Sequence, residues 1–412
     1  MLGDARLGPV AAALFLHGMS QGMSVPLIAL WLVRDYHRGP GAVAAYFACT
    51  AGGGLLLNPL LGRISDRMGR RRPVAVTAAL LQSLGLAALA LRPPFAGVLG
   101  AAALLLSAQV QPPLFALIND HVGTGTARLP RGFTVATLRG AVSAAWMVGA
   151  PAGGLLAATG LRSAFALGAG LNLAALLTVA FACREAPRRP AAPARGGATA
   201  GRGAARWPQL ALFSAGAALA VAGNTAKMQA VPLYLARLGL GTPGIGGLYG
   251  WMAFTELVAL PPWGALADRI PRRWAVALGM LGGAAFFVAV ALVPGPLAVL
   301  AAFPGMALFV AGLYGVGLGY VQDLDPAHAG LAGGLFFAAQ GIGQMIGGPA
   351  VALGDARLGL PRAFLVPGCL ILAGVAAVAR TRPSVGPRAA ELGPAALAAP
   401  VGGAAASAGA EP

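Results

Sequence analysis

The chain has 412 residues, of which 58% are hydrophobic and 10% are charged, and its 29 basic and 12 acidic residues give a net charge of +17. One soluble core could not bury that much apolar side-chain area, so the composition indicates a membrane protein. The charge does not indicate binding to nucleic acid, because the basic residues lie in short segments between apolar runs and without interleaved aromatic residues.

Apolar runs of the length that crosses a bilayer, about 20 residues, occur six times in each half of the chain. The first run is too long for a cleaved signal peptide and lacks a basic segment before it, so we expect it to remain as the first span. The sequence predicts an all-α membrane protein of twelve transmembrane helices. The predicted spans are residues 7–33, 40–62, 74–92, 94–118, 134–158, 163–183, 208–236, 243–266, 275–292, 297–322, 330–354 and 361–380.

These spans predict two six-helix halves, residues 1–183 and 208–385. Residues 184–207 are rich in Ala, Pro, Gly and Arg and have no helical periodicity, so we expect a flexible cytoplasmic linker. Residues 386–412 have a similar composition and are predicted to be disordered. Four scattered histidines and three isolated cysteines predict neither a metal site nor a cofactor.

Most arginines fall in the segments that share one side of the membrane if both termini are cytoplasmic. Basic residues are retained on the cytoplasmic side during insertion. We therefore expect a multi-pass protein of the plasma (cytoplasmic) membrane with both termini inside.

One motif occurs twice, between spans 2 and 3 and again between spans 8 and 9. The first copy is GRISDRMGRRR, from Gly62, and the second is GALADRIPRR, where Pro271 replaces a glycine. The motif resembles the loops that join these helices in the major facilitator superfamily. The resemblance implies a fold of two six-helix halves and a conformational latch, although the arginines alone could also serve only to fix topology. The latch residues would be Gly62, Asp66, Arg67, Asp268 and Arg269.

The fifth span carries GAPAGG, in which Gly149, Pro151, Gly153 and Gly154 are predicted to pack helices closely. This pattern resembles one found in antiporters of the superfamily, which favours export. Small-residue packing without any directional meaning is the alternative.

Ionisable residues inside spans cost about 2.5–3.5 kcal/mol each at the helix centre on insertion scales, so they need a partner or a wet cavity. They include Arg139, Lys227 and Glu256, with His17 in the first span. The resemblance places helices 5 and 8 together, which would let Arg139 pair with Glu256, and Lys227 is a rival partner. A carboxylate that is neutralised and re-ionised suits proton antiport, while a purely structural ion pair explains the same residues.

Uncharged polar groups in the spans offer donors and acceptors to hydroxyl groups, as a sugar site requires. Bonds between helices are the alternative use for each of them. The predicted substrate-binding residues are His17, Gln21, Gln109, Asn224, Gln229 and Gln340.

A narrower resemblance extends over nearly all the membrane core. It includes QPPLFALIND from Gln111, the Arg139–Pro151 stretch, VPLYL from Val231 and QDLDPAHAG from Gln322, which together are similar to the sugar efflux transporter family. Arg139, Asn224, Glu256, Gln322 and Asp323 match that family's pattern, whereas Ala230 and Lys227 depart from it.

These features predict a transporter that exports a small sugar or glycoside in exchange for protons while its halves rock around a central site. Its expected partners are the solute, protons and the lipid bilayer, without nucleic acid, and we expect a monomer. A multidrug exporter is the alternative, kept open by Trp146, Trp251, Phe254 and Phe336, and a membrane-embedded enzyme is a more distant one.

Overall fold

The computed structural model describes residues 7–123, 131–185 and 206–382. Within these ranges the chain forms thirteen helices and no strand. Nine of these helices are long and apolar enough to cross a membrane. In chain order the helices are α1 (Gly8–Arg34), α2 (Pro40–Met68), α3 (Arg72–Ala90), α4 (Phe95–Leu105), α5 (Gln111–Gly123), α6 (Arg131–Thr159), α7 (Leu161–Ala182), α8 (Trp207–Arg237), α9 (Thr242–Ala267), α10 (Arg272–Leu292), α11 (Pro296–Leu324), α12 (Ala329–Leu358) and α13 (Arg362–Ala379).

Eleven of the helices each correspond to one predicted span, and α4 and α5 together occupy the remaining one, the fourth. The helix is interrupted over residues 106–110, where the prediction had a continuous span. The backbone N–H of Gln109 in this break donates to Asn58 Oδ1 of α2 at 3.1 Å. A neighbouring amide therefore satisfies a donor that the break releases, which is how membrane proteins tolerate broken helices.

The two halves repeat the same packing. In the first half α1 packs against α6 and α7, and α3 packs against α7. In the second half α8 packs against α12 and α13, and α10 packs against α13. These are the same pairs of spans shifted by six, so the repeat seen in the sequence is also a repeat of tertiary structure.

The halves meet mainly along α6 and α9, with further contacts between α2 and α12 and between α1 and α8. Glycines allow the close approach of α6 and α9. A Cβ atom at Gly154 would lie 2.4 Å from the Thr242 carbonyl oxygen, and one at Gly246 would lie 2.4 Å from the Ala150 carbonyl oxygen. Without a hydrophobic driving force between helices in lipid, such backbone contact supplies the packing energy.

The glycines of the fifth-span pattern face two directions. Gly149 and Gly153 lie against the backbone of Met19 and Met23 on α1, where added Cβ atoms would approach carbonyl oxygens to 2.5 and 2.3 Å. Gly154 instead faces α9 of the other half. One short segment thus holds α6 to its own half and to the opposite one.

The repeated charged motif is more helical than the loop that the sequence suggested. Helix α2 continues through Met68, so Gly62 and Arg67 lie on its last turns. It ends where Gly69 adopts a positive φ of 67°, a conformation that glycine accepts without strain. The second copy differs because α9 ends at Ala267, which leaves Asp268 just after the helix.

The predicted linker, residues 184–207, lies mostly outside the described residues. The predicted tail, residues 386–412, lies wholly outside them. Glu185, at the start of the predicted linker, is described and contacts the N-terminus of α3. Its carboxylate accepts hydrogen bonds from the backbone N–H groups of Arg71 and Arg72, at 3.2 and 2.7 Å. An acidic group at this position satisfies helix N-terminal donors and complements the helix dipole.

Candidate functional site

A cavity of about 240 Å³ lies between the two halves. Helices α1 and α2 of the first half and α8, α11 and α12 of the second contribute its walls. This volume is a little below the range of about 300–1,000 Å³ typical of sites for drug-sized ligands, so the cavity suits a small solute. Its polar lining residues are Gln21, Ser24, Tyr46, Thr50, Asn224, Thr225, Tyr314 and Gln344.

Asn224 lies in the cavity wall and has one amide atom without a hydrogen-bond partner among the described residues. Its Nδ2 donates to the Tyr314 hydroxyl at 3.3 Å, which orients the amide. Its Oδ1 is buried and accepts no hydrogen bond from the part of the chain that the structure describes. A buried polar atom without a partner costs free energy, so a hydroxyl from a bound solute would find a prepared acceptor here.

Gln21 connects the cavity to a buried chain of amides in the first half. Its Nε2 donates to Gln82 Oε1 at 3.1 Å, and Asn172 Nδ2 is 3.4 Å from the same oxygen. His17 Nδ1 lies 3.0 Å from Asn172 Oδ1 at the far end. Burial lets such a network rigidify the helices that it joins. His17 therefore lies behind the cavity wall, and sequence reasoning missed Gln82 and Asn172.

The structure places the other predicted substrate residues away from this cavity. Gln109 is exposed in the break between α4 and α5, and Gln340 is not among the lining residues. Gln229 lines a second, narrow crevice of about 30 Å³ between α2, α8 and α12. Gln344, one turn from Gln340 on the same helix, lines the main cavity instead.

Glu256 on α9 lies at the contact between the halves. Its Oε1 accepts a hydrogen bond from Ser143 Oγ of α6 at 3.1 Å, and the carboxylate interacts electrostatically with Lys227 of α8. The side chain of Arg139, its predicted partner, lies outside the described part of the structure. Glu256 belongs to the second half and is hydrogen-bonded to the first, so it lies where a change of protonation can affect the contact between them.

The predicted latch residues lie at the ends of α2 and α9. Arg67, Asp268 and Arg269 are exposed, and no atom comes within 4 Å of a Cβ built at Gly62. None of the described helices therefore packs closely against Gly62 in this conformation. The Asp66 side chain lies outside the described part. Arg71 Nη1 donates to Ser65 Oγ at 3.1 Å and holds the end of α2 to the turn before α3.

The corresponding end of the second half has its own polar cluster. Arg272 Nη1 and Asp323 Oδ2 form an ion pair at 2.7 Å. Asp325 accepts hydrogen bonds from the backbone N–H of Arg206 and from His328 Nδ1, each at 3.0 Å. Burial alone would raise the pKa of the Asp325 carboxyl, but these hydrogen bonds outweigh it and hold the pKa below its ordinary value.

The aromatic residues that suggested a multidrug cavity lie elsewhere. Trp251 and Phe254 stack on each other on the exposed side of α9. Phe336 is buried against Phe213, and Trp146 is not part of the cavity lining. None of these four residues lines the cavity, whose aromatic lining residues are Tyr46, Phe47 and Tyr314.

Two similar halves around a central cavity are the architecture of a secondary transporter. The family model of the Major Facilitator Superfamily matches residues 10–253 and 213–407. The chain belongs to this superfamily, and it is a multi-pass membrane transporter rather than an enzyme. The solved structure of the nucleoside transporter NupG has the same fold, with a TM-score of 0.74, 13% sequence identity, and coverage of 90% of this chain and 97% of that one.

Among characterised relatives, the chain is similar to sugar efflux transporters. It is 28% identical over 350 residues to Sugar efflux transporter A of Dickeya chrysanthemi. It is 27% identical over 337 residues to Sugar efflux transporter B of Salmonella typhimurium. Each match covers 81% of this chain and 85% of the relative.

Proposed function

We propose that this protein exports small sugars or glycosides from the cytoplasm by proton antiport. It would act as a monomer in the plasma membrane, with both termini cytoplasmic. The observation that carries the proposal is the cavity between the halves, whose amides and hydroxyls match the hydrogen-bonding needs of a polyol. The names of the relatives and the unpartnered Asn224 acceptor support the same substrate class.

Glu256 is proposed as the proton carrier. In its ionised form the carboxylate accepts the hydrogen bond of Ser143 across the interface between the halves. Protonation of the carboxylate removes its charge and converts one oxygen into a hydrogen-bond donor. This changes the interactions that hold the carboxyl group at the interface between the halves. A proton that binds on the outer side and leaves on the cytoplasmic side would in this way drive the exchange of solute.

The test uses inverted membrane vesicles and a panel of radiolabelled mono- and disaccharides, with and without an acid interior. We expect accumulation of at least one saccharide that depends on the gradient. Glu256→Gln should abolish gradient-driven accumulation and retain exchange of labelled for unlabelled solute. Asp355→Asn is the matched control, because it neutralises an acid that pairs with Arg237 at the outer end of the bundle.

Three outcomes would contradict the proposal. Uptake of hydrophobic dyes without any saccharide signal would assign the chain to multidrug efflux. Saccharide transport that ignores the proton gradient would exclude antiport. Full accumulation by a folded Glu256→Gln variant would exclude Glu256 as the carrier.

A further inference from the structure

We propose that Lys227 is the second member of the coupling site, the cation with which ionised Glu256 pairs when the two halves change orientation. The inference rests on the proposed proton antiport and adds a residue to it. It starts from a lysine that the structure buries without a strong acceptor.

Lys227 lies in the middle of α8 and is 1% exposed. The atom that the structure places against its Nζ is the Met252 thioether sulfur, at 3.2 Å. A thioether is a weak acceptor, whereas a buried ammonium requires a counter-charge or several strong acceptors. The surroundings of Lys227 in this conformation are therefore poor for a charged group.

The residue is also held in place from the neighbouring helix. The Tyr249 hydroxyl donates to the Lys227 carbonyl oxygen at 2.9 Å, and both groups are buried. This bond fixes the backbone of α8 against α9 near the ammonium group. Lys227 therefore has little freedom to reach water, and any strong partner must come to it.

Glu256 is placed to become that partner. Met252 and Glu256 are four residues apart on α9, so they share one face of the helix, a single turn apart. Among the described residues of the helices packed against α8, Glu256 is the charged group that acts on the Lys227 ammonium. Tyr249 is the other titratable group facing it from α9, and its hydroxyl donates to the Lys227 carbonyl oxygen.

Ser143 and Lys227, which both act on Glu256, belong to different halves. Ser143 lies on α6 of the first half, while Lys227 lies on α8, in the same half as Glu256. If the α6–α9 contact shifts as the halves rock, the carboxylate loses Ser143, whereas Lys227 moves with it. A protonated Glu256 carries no charge for the ammonium to attract. The shifted orientation is therefore stabilised by the Lys227 pair when Glu256 is ionised and gains nothing from it when Glu256 is protonated.

The test removes the cation while preserving the shape of its side chain. Lys227→Met, Glu256→Gln and the double variant are reconstituted into proteoliposomes with the saccharide that wild type accumulates. We expect Lys227→Met to lose proton-driven accumulation and to retain solute exchange. The double variant should exchange solute at least as fast as either single variant. Arg237→Met is the matched control, because it removes a cation from the exposed end of the same helix.

Thermal unfolding in detergent gives a second readout that needs no substrate. If the two residues interact, the effects of the single substitutions on the unfolding temperature should not add in the double variant. Additive effects together with normal accumulation by Lys227→Met would overturn the inference. If Lys227→Met does not fold, the double variant is tested in its place, because it buries neither charge. Proton-driven accumulation by the double variant would refute the role of both residues. If wild type accumulates no saccharide, the proposed function fails first.

Discussion

The glycine contact between α6 and α9 gives a sharp prediction, because two adjacent glycines on α9 have opposite surroundings. A Cβ atom at Gly246 would lie 2.4 Å from the Ala150 carbonyl oxygen, whereas one at Gly247 would have no atom within 4 Å. Non-bonded heavy atoms are most stable at separations of about 3.5–4.0 Å. Gly246→Ala must therefore push the two helices apart by about 1 Å, and Gly247→Ala need not move anything.

The energies follow from this difference. Both substitutions gain about 1 kcal/mol of helix propensity from the loss of a glycine. Overpacking costs about 1–3 kcal/mol, and only Gly246→Ala incurs it. We expect Gly246→Ala to be about 1–3 kcal/mol less stable than Gly247→Ala, because the propensity gain is common to both.

The assay is thermal unfolding of both purified variants in the same detergent, followed by tryptophan fluorescence, together with solute exchange in proteoliposomes. Gly247→Ala should unfold at or above the wild-type temperature and exchange solute normally. Gly246→Ala should unfold at a lower temperature and exchange more slowly, since the altered contact lies between the moving halves. Equal unfolding temperatures and equal exchange rates for the two variants would refute the close contact.

Three further predictions concern polar residues. Asn224→Ala should raise the KM for the transported saccharide about 2- to 10-fold, as expected for the loss of a single hydrogen bond of about 0.5–1.5 kcal/mol, and concentration-dependent uptake measures this. The pKa of Asp325 is lowered in the folded state, so the ionised carboxylate stabilises the fold. This stabilisation is complete above the unfolded-state pKa and is lost as the pH falls through the folded-state pKa. Asp325→Asn should thus lower the unfolding temperature at pH 7, and the difference from wild type should shrink as the pH falls below 3.8, the ordinary pKa of an aspartate. Asp323→Asn breaks a pair with Arg272 whose side chains are 50% and 46% exposed, so it should cost no more than about 1 kcal/mol, measured by unfolding at low and high salt.

The fold was predictable because its signals are strong and repeated. Apolar runs of spanning length and the duplicated charged motif predict the helices and the two halves without any knowledge of side-chain contacts. The limits of the motif were harder to place. Hydropathy falls at Gly62, but a helix can continue past the bilayer surface in charged residues, and α2 does so until Gly69 provides a left-handed turn.

The site was predictable only in part, because the sequence shows which polar residues lie in spans but not which way they face. Gln21 and Asn224 line the cavity, while Gln109 and Gln340 do not. The helices around the cavity are apolar on every side, so periodicity does not distinguish a wall from a lipid face. Gln344 could have been preferred to Gln340 only from the rotation of α12, which packing with α8 and α2 determines.

Two stretches of irregular backbone lie beside the cavity. Span 4 is broken between α4 and α5, and span 10, its counterpart in the second half, contains a π-helical turn over Val310–Val316. Leu106 of the break and Tyr314 of the π turn both line the cavity. Lipid cannot satisfy the backbone groups that such irregularities release, so they persist only where protein or a wet cavity does so. The two irregular stretches therefore lie where the halves enclose the cavity, and Asn224, whose amide donates to Tyr314 of the π turn, is the lining amide beside one of them.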